Sequence, residues 1–169
     1  MSATPAATPW LDDEQLDAWI RLIAVVELLP GVLDAQLRRD SGLSHFEYLV
    51  LAMLSEAPDR TLRMTALAAR TNATLARLSH VVSRLEDRGL VARSACDADR
   101  RATNATLTDA GWDVVVDAAP GHVATVRANV VDALTREQVG QLREIADAIL
   151  ERVDPTGAMT EPYRRPAAR

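Results

Sequence analysis

The 169-residue chain sets 24 Asp and Glu against 19 basic residues, all of them arginine, for a formal net charge of −5 and a pI near 5.2. With 48% hydrophobic and 25% charged residues it has the composition of one folded domain, and an acid excess spread evenly would argue against a nucleic-acid partner. A single cysteine, Cys96, and three scattered histidines leave no disulfide framework or metal-ligand spacing. No apolar run or N-terminal signal pattern points to a membrane, so a cytoplasmic protein without metal, cofactor or membrane partner is expected.

Residues 1–9 and 153–169 read as flexible tails around a single domain over 10–152. From Asp12 to Arg39, Leu16, Trp19, Ile20, Ile23, Val26, Leu33 and Leu37 recur at helical spacing, and Pro30-Gly31 predicts a kink or break. Ser44 with Glu47 forms a capping box that opens a second helix, ending near Ala57-Pro58-Asp59. Thr61–Arg63 is a candidate strand. A short helix over Thr65–Arg70 and a turn through Thr71–Ala73 precede a helix from about Thr74 to Arg88, closed by Gly89 as its left-handed C′ residue. Leu90–Arg93 and Thr103–Thr108 read as short strands flanking a charged turn over Cys96–Ala102. Thr108 then caps a long helix with Trp112, Val115, Val116, Val123 and Val126, interrupted at Pro120-Gly121. Thr135 with Gln138 opens a last helix carrying Leu142, Ile145 and Ile149.

The charge is not evenly spread. Nine arginines and four acids between Arg60 and Arg101 give that stretch +5, leaving −10 for the remainder. Charge alone fits a solvated arginine-rich face as well as a binding surface. The order of elements decides, because helix, helix, turn, helix, strand, charged turn, strand is a winged helix-turn-helix, whose second helix enters the DNA major groove. In the helix from Thr74, Leu75, Leu78, Val82 and Leu85 make the expected core stripe, while Arg77, His80 and Arg84 share another face beside Ala76 and Ser83. Small residues let the helix approach the bases. Arginine can fork onto guanine or hold a phosphate, and Ser79 and Ser83 can donate to phosphates or base edges. His80 standing alone would be an ordinary surface histidine; beside two arginines it reads as a DNA contact. Arg77 has no acid at pairing distance on its helix, whereas Arg84 has Asp87 at i+3. In the wing, Arg100 and Arg101 can reach the minor groove or its phosphates, with Asp99 holding one of them; which one enters the groove stays open.

The stretch RMTALAARTNATLARLSHVVSRLEDRGLVARSACDADRRATNATLTDAG resembles the multiple-antibiotic-resistance regulator (MarR) family. The likeness rests on the leucine-anchored bracing helix, RLSHVVSRLEDRGLV as recognition helix and first wing strand, DRR in the wing, and LTDAG entering the next helix. RLSH and APGHV resemble an actinobacterial-type branch. The resemblance implies a mainly α fold with a small β-wing, in which a winged helix over about 44–110 is flanked by dimerisation helices over about 12–39 and 109–152. It also implies a homodimeric repressor, not an enzyme, on a palindromic operator in double-stranded DNA, released by a small aromatic or anionic effector. Carried onto this chain, the DNA contacts are Thr74, Ala76, Arg77, Ser79, His80, Ser83 and Arg84, with Arg100 and Arg101 in the wing.

An effector pocket is expected near Trp19, His45, Tyr48, Trp112 and His122, although aromatic residues at helical spacing are more often core. The apolar stripes of the flanking helices suit a dimer, or packing within one chain. Cys96 reads as incidental, since acids as well as arginines surround it in sequence. The alternative function is a winged-helix protein-interaction module that binds no DNA, for which the Arg77, Arg84 and wing-arginine set would be unnecessary.

Overall fold

The structure, a computed structural model, describes residues 8–96 and 99–160, with the backbone alone for Asp99, Arg100 and Arg101. Most of both expected tails, and Asp97-Ala98 of the charged turn, lie outside the described residues. The chain divides into two units, Met1–Val32 and Leu33–Arg169, with the boundary inside helix α1 (Asp13–Ser41).

In the first unit, Asp12 and Gln15 cap α1 reciprocally: the Gln15 N–H donates to Asp12 Oδ1 at 2.8 Å and the Asp12 N–H to Gln15 Oε1 at 3.1 Å. Leu16, Trp19, Ile20, Val25, Val26 and Leu28 are all exposed there, Leu28 by 70%.

The second unit holds the last turns of α1, then α2 (His45–Ser55), a 3-10 turn (Pro58–Arg60) and strand β1 (Thr61–Arg63). Next come α3 (Met64–Arg70), α4 (Leu75–Asp87), β2 (Val91–Cys96), β3 (Asp99–Leu107), α5 (Asp109–Val126), a π-helical segment (Arg127–Val131) and α6 (Arg136–Val153). The sheet is antiparallel in the order β1-β3-β2, with Thr61 opposite Thr106 and Val91 opposite Leu107. This is the winged helix-turn-helix expected from the sequence, mainly α with a small β-wing. Leu37, Leu43, Leu51, Leu54, Leu67, Leu78 and Leu85 are fully buried and tie α1, α2, α3 and α4 into one core. At roughly 1.5–3 kcal/mol per fully buried large apolar side chain, this cluster dominates the stability of the unit.

The capping boxes at Ser44/Glu47 and Thr135/Gln138 are both present, and Thr74 and Thr108 cap α4 and α5. Gly89, at φ +72°, closes α4 in a Schellman arrangement, with the Gly89 N–H on Glu86 O and the Leu90 N–H on Leu85 O. Asn72 turns the chain between α3 and α4 at φ +46°, a conformation that asparagine tolerates.

Several expectations need correction. Of the kink or break expected at Pro30 and the interruption expected at Pro120, a break occurs at neither, and both α1 and α5 run through their proline. One proline removes a single i→i−4 bond, and the rest of each ladder carries the helix across. The departure from α-geometry in this region is the π-helical Arg127–Val131, which no residue type announced. The wing strands run further into the charged turn than expected, as far as the Cys96–Asp99 pair, with a register shift between Ala95 and Cys96. Leu75 is 50% exposed and outside the core; the buried stripe of α4 is Leu78, Val81, Val82 and Leu85. Among the described residues, no helix is long and apolar enough to cross a membrane.

The start of α5 is fastened to the α4–β2 junction. Thr108 Oγ1 donates to Gly89 O at 2.8 Å and the Thr108 N–H to Leu90 O at 3.1 Å. Gly111 lies so close that a Cβ there would fall 2.1 Å from Leu90 O and 2.6 Å from Leu107 Cδ1. Gly111→Ala should therefore cost about 1–3 kcal/mol or more, as overpacking against backbone does. Gly140→Ala, in a helix and with nothing within 4 Å of the new Cβ, should be neutral or stabilising. Thermal melts of the two variants check the contrast, and equal midpoints would refute it.

Candidate nucleic-acid interface

At about 100° per residue, the burial of Leu78, Val81, Val82 and Leu85 fixes which side of α4 faces outward. Ala76, His80 and Ser83 lie along the centre of the opposite face, where Ala76 and His80 are exposed and Ser83 is half-buried. Arg77 and Arg84 occupy the edge toward α2. Leu75 and Ser79 occupy the edge toward the wing, where they line a groove of about 290 Å³ with Arg63, Arg93 and Thr103. Thr74 stands at the N-terminal end, its Oγ accepting from the Arg77 N–H at 3.2 Å. Six of the seven recognition-helix candidates are thus on one exposed face and its two rims, with Thr74 capping its N-terminal end. For the wing, the backbone of Asp99, Arg100 and Arg101 forms the start of β3.

Among the described residues, Glu86 and Asp109 are paired with arginines away from the centre of this face, while Asp87, exposed at the C-terminal end of α4, forms no ion pair. Glu86 accepts from the Arg93 backbone N–H at 3.0 Å and from its Nε at 2.8 Å, tying α4 to β2; these bonds hold the Glu86 carboxyl below its ordinary pKa. Asp109 pairs with Arg60, whose guanidinium carbon lies 4.2 Å from the Trp112 ring centroid. Arg84 pairs not with Asp87 but with Glu47 on α2, Nη2 to Oε1 at 3.3 Å. The Arg77 guanidinium lies over the Phe46 ring, 4.2 Å from its centroid, and forms no ion pair among the described residues. In the sequence Glu47 carries only the signal of a helix cap, and Phe46 carries none toward α4. Helical spacing does not show what reaches α4 from another helix. Arg63 and Arg93 stand in the candidate strands, but nothing in their spacing puts them on the groove beside α4. Cys96 is buried, with the Arg63 Nη2 3.4 Å from its sulfur, so its surroundings are a packed wing base.

The ring contacts bring together three of the five expected effector residues. His45 and His122 stack with centroids 6.4 Å apart, and Tyr48 lies 4.6 Å from His122. Burial lowers the pKa of both histidines; the charge of His45 adds to the lowering at His122, and Asp34 opposes it at His45. Burial also raises the Tyr48 hydroxyl. Two buried polar atoms here, His122 Nδ1 and Gln36 Oε1, have no hydrogen-bond partner among the described residues. Gln36 approaches the residue next to His122, since a Cβ on Gly121 would lie 3.0 Å from its Nε2. Trp112 is engaged by Arg60, and Trp19 is an exposed residue of the first unit. Among the described residues, no group of three or more His, Cys, Asp or Glu is placed to hold a metal ion.

Comparison with known proteins agrees with this geometry. The MarR family model matches residues 41–102. The crystal structure of Sco3205, a MarR family transcriptional regulator from Streptomyces coelicolor in complex with DNA, is 45% identical with a TM-score of 0.82, over 86% of this chain and 95% of that one. The transcriptional regulator MhqR of Bacillus subtilis (strain 168) is 30% identical over 112 residues, 66% of this chain and 72% of that protein. The transcriptional repressor YetL of the same organism is 29% identical over 112 residues, 66% of each. The chain belongs to the MarR family of transcriptional regulators, and its winged helix is the DNA-binding element of that family.

Proposed function

We propose that the protein is a sequence-specific, homodimeric repressor acting in the cytoplasm on a palindromic operator, and that a small aromatic or anionic effector releases it. The observation that carries the reading is the outward face of α4, where Arg77, His80 and Ser83 stand on a helix whose opposite side is locked into the core. Arg77 is the best placed to read a base, because no carboxylate among the described residues pairs with it. Arg100 and Arg101, in β3, would serve the minor groove or its phosphates. The likeness to the YetL repressor supports repression over activation.

Dimerisation is supported by apolar side chains left exposed on two elements, each considered by itself: Leu16, Trp19, Ile20 and Val26 on α1, and Leu142, Ile145 and Val153 on α6. A second copy would cover them and place two recognition helices about one DNA turn apart, roughly 34–36 Å. The effector site is supported by the His45, Tyr48 and His122 rings together with the partnerless Gln36 Oε1 and His122 Nδ1. These supply aromatic faces and unused polar groups at one place.

Selection of bound duplexes from a random DNA pool, with and without aromatic acids, tests the reading directly. Binding to the selected duplex should weaken linearly in log–log form with salt, with a slope near −0.9 per phosphate neutralised; failure to enrich any sequence would overturn the proposal. Arg77→Ala should weaken the selected duplex by roughly 1–3 kcal/mol and relax preference at one base position. An equal loss on all duplexes would make Arg77 a phosphate anchor instead. Sedimentation should give twice the 18.4 kDa chain mass.

The lowered histidines also fix the sign of a pH effect. The unfolded chain takes up these protons first, so their stabilising contribution is complete above 6.5 and is lost as the pH falls through the lower folded-state values. The melting temperature should therefore drop between pH 7.5 and 5.5, with a shallower slope in His122→Gln. An unchanged slope would assign the effect to other groups.

A further inference from the structure

We infer that the first turn of α2 positions the DNA-reading arginines, with Phe46 seating Arg77 and Glu47 seating Arg84. The inference rests on the DNA-binding reading above and adds to it two residues outside the recognition helix. Arg77 and Arg84 are seven residues apart on α4, on its rim toward α2, and the residues that receive them are neighbours at the start of that helix.

The two seats differ in chemistry. A guanidinium held over a ring is attracted through its face, while its N–H donors lie around its edge and stay available. Phe46, the only phenylalanine in the chain, therefore restricts the freedom of Arg77 without consuming its hydrogen bonds. Glu47 acts by charge, and its two oxygens divide the work. Oε2 accepts from the Ser44 N–H and hydroxyl, both at 2.8 Å, and Oε1 faces Arg84 Nη2 at 3.3 Å. The residue is 8% exposed. Burial presses its carboxyl upward, yet the Ser44 bonds and the charges of Arg84 and Arg88 outweigh that and keep it ionised.

The turn is itself anchored, so it can position something else. The Glu47 N–H returns a bond to Ser44 Oγ at 3.2 Å. The His45 N–H donates to Asp34 Oδ1 at 2.9 Å, and Asp34 is held in turn by Arg38 at 2.6 Å. A fixed turn of this kind lowers the ordering cost of two long side chains before DNA arrives. It also holds Arg84 back from the phosphates, trading non-specific attraction for selectivity.

The experiment uses the full chain and two duplexes, one enriched from a random pool by the wild-type protein and a scrambled version of it. Three variants are compared: Phe46→Leu, which keeps apolar packing and loses the ring; Phe46→Tyr, which restores the ring; and Glu47→Gln, which keeps an acceptor for Ser44 and loses the charge. Phe46→Leu should weaken the enriched duplex about three- to tenfold and leave the scrambled one unchanged, with recovery in Phe46→Tyr. Glu47→Gln should tighten the scrambled duplex and steepen its salt slope by up to about 0.9, shrinking the ratio between the two duplexes. Thermal melts accompany each variant, and if Phe46→Leu unfolds, Glu47→Gln alone decides. Equal changes on both duplexes with an unaltered salt slope would overturn the positioning role and leave DNA binding intact. Enrichment of no duplex by the wild type would overturn the DNA reading itself.

Discussion

The placement of the recognition helix depends on the burial of Leu78, Val81, Val82 and Leu85. Those four side chains fix the rotation of α4 about its axis, and the rotation decides which residues face outward. At roughly 1.5–3 kcal/mol each, they outweigh any single polar contact on the exposed side, which can therefore be populated for recognition. The exposed face carries Ala76, His80 and Ser83 along its centre and the long cations Arg77 and Arg84 at one rim.

Electrostatics then assigns the arginines to different tasks. Arg60 and Arg93 are committed to Asp109 and Glu86 and join elements of the winged helix to one another. Arg84 is shared with Glu47, and Arg77 rests on an aromatic face. These exposed or half-exposed pairs contribute little to stability individually, and their effect is on where a side chain points. Beside the recognition helix, Glu47, Glu86 and Asp109 are engaged with specific arginines, so among the described residues the acid of α4 left without an ion pair is Asp87.

Much of this was legible in the sequence, wherever the signal was local. Ser44/Glu47 and Thr135/Gln138 marked helix starts, Gly89 marked a helix end, and the order of elements identified the winged helix, because capping and turn chemistry act within a few residues. Ala76, Arg77, His80, Ser83 and Arg84 share the outward side of α4 for a similar reason, since helical spacing is local. What escaped was set across elements. Leu75 fits a helical stripe by spacing, yet at the first position of α4 it projects toward the groove beside the wing and not into the core. The partner of Arg84 is 37 residues away, and the seat of Arg77 lies on another helix. Pro30 allowed a kink or a break and Pro120 an interruption, and a break occurs at neither, since the remaining bonds of a helix of 29 or 18 residues carry it across.

The close approach at Gly111 has a mechanical consequence. With its amide end bonded to Gly89 and Leu90 and no room for even a methyl group against Leu90, the first turn of α5 has no slack relative to the point where α4 ends and the wing begins. A joint without slack transmits displacement where a looser one would absorb it. A tilt of α5 therefore bears directly on the base of the DNA-reading element, and a single hydrogen atom in place of a side chain makes that close approach possible.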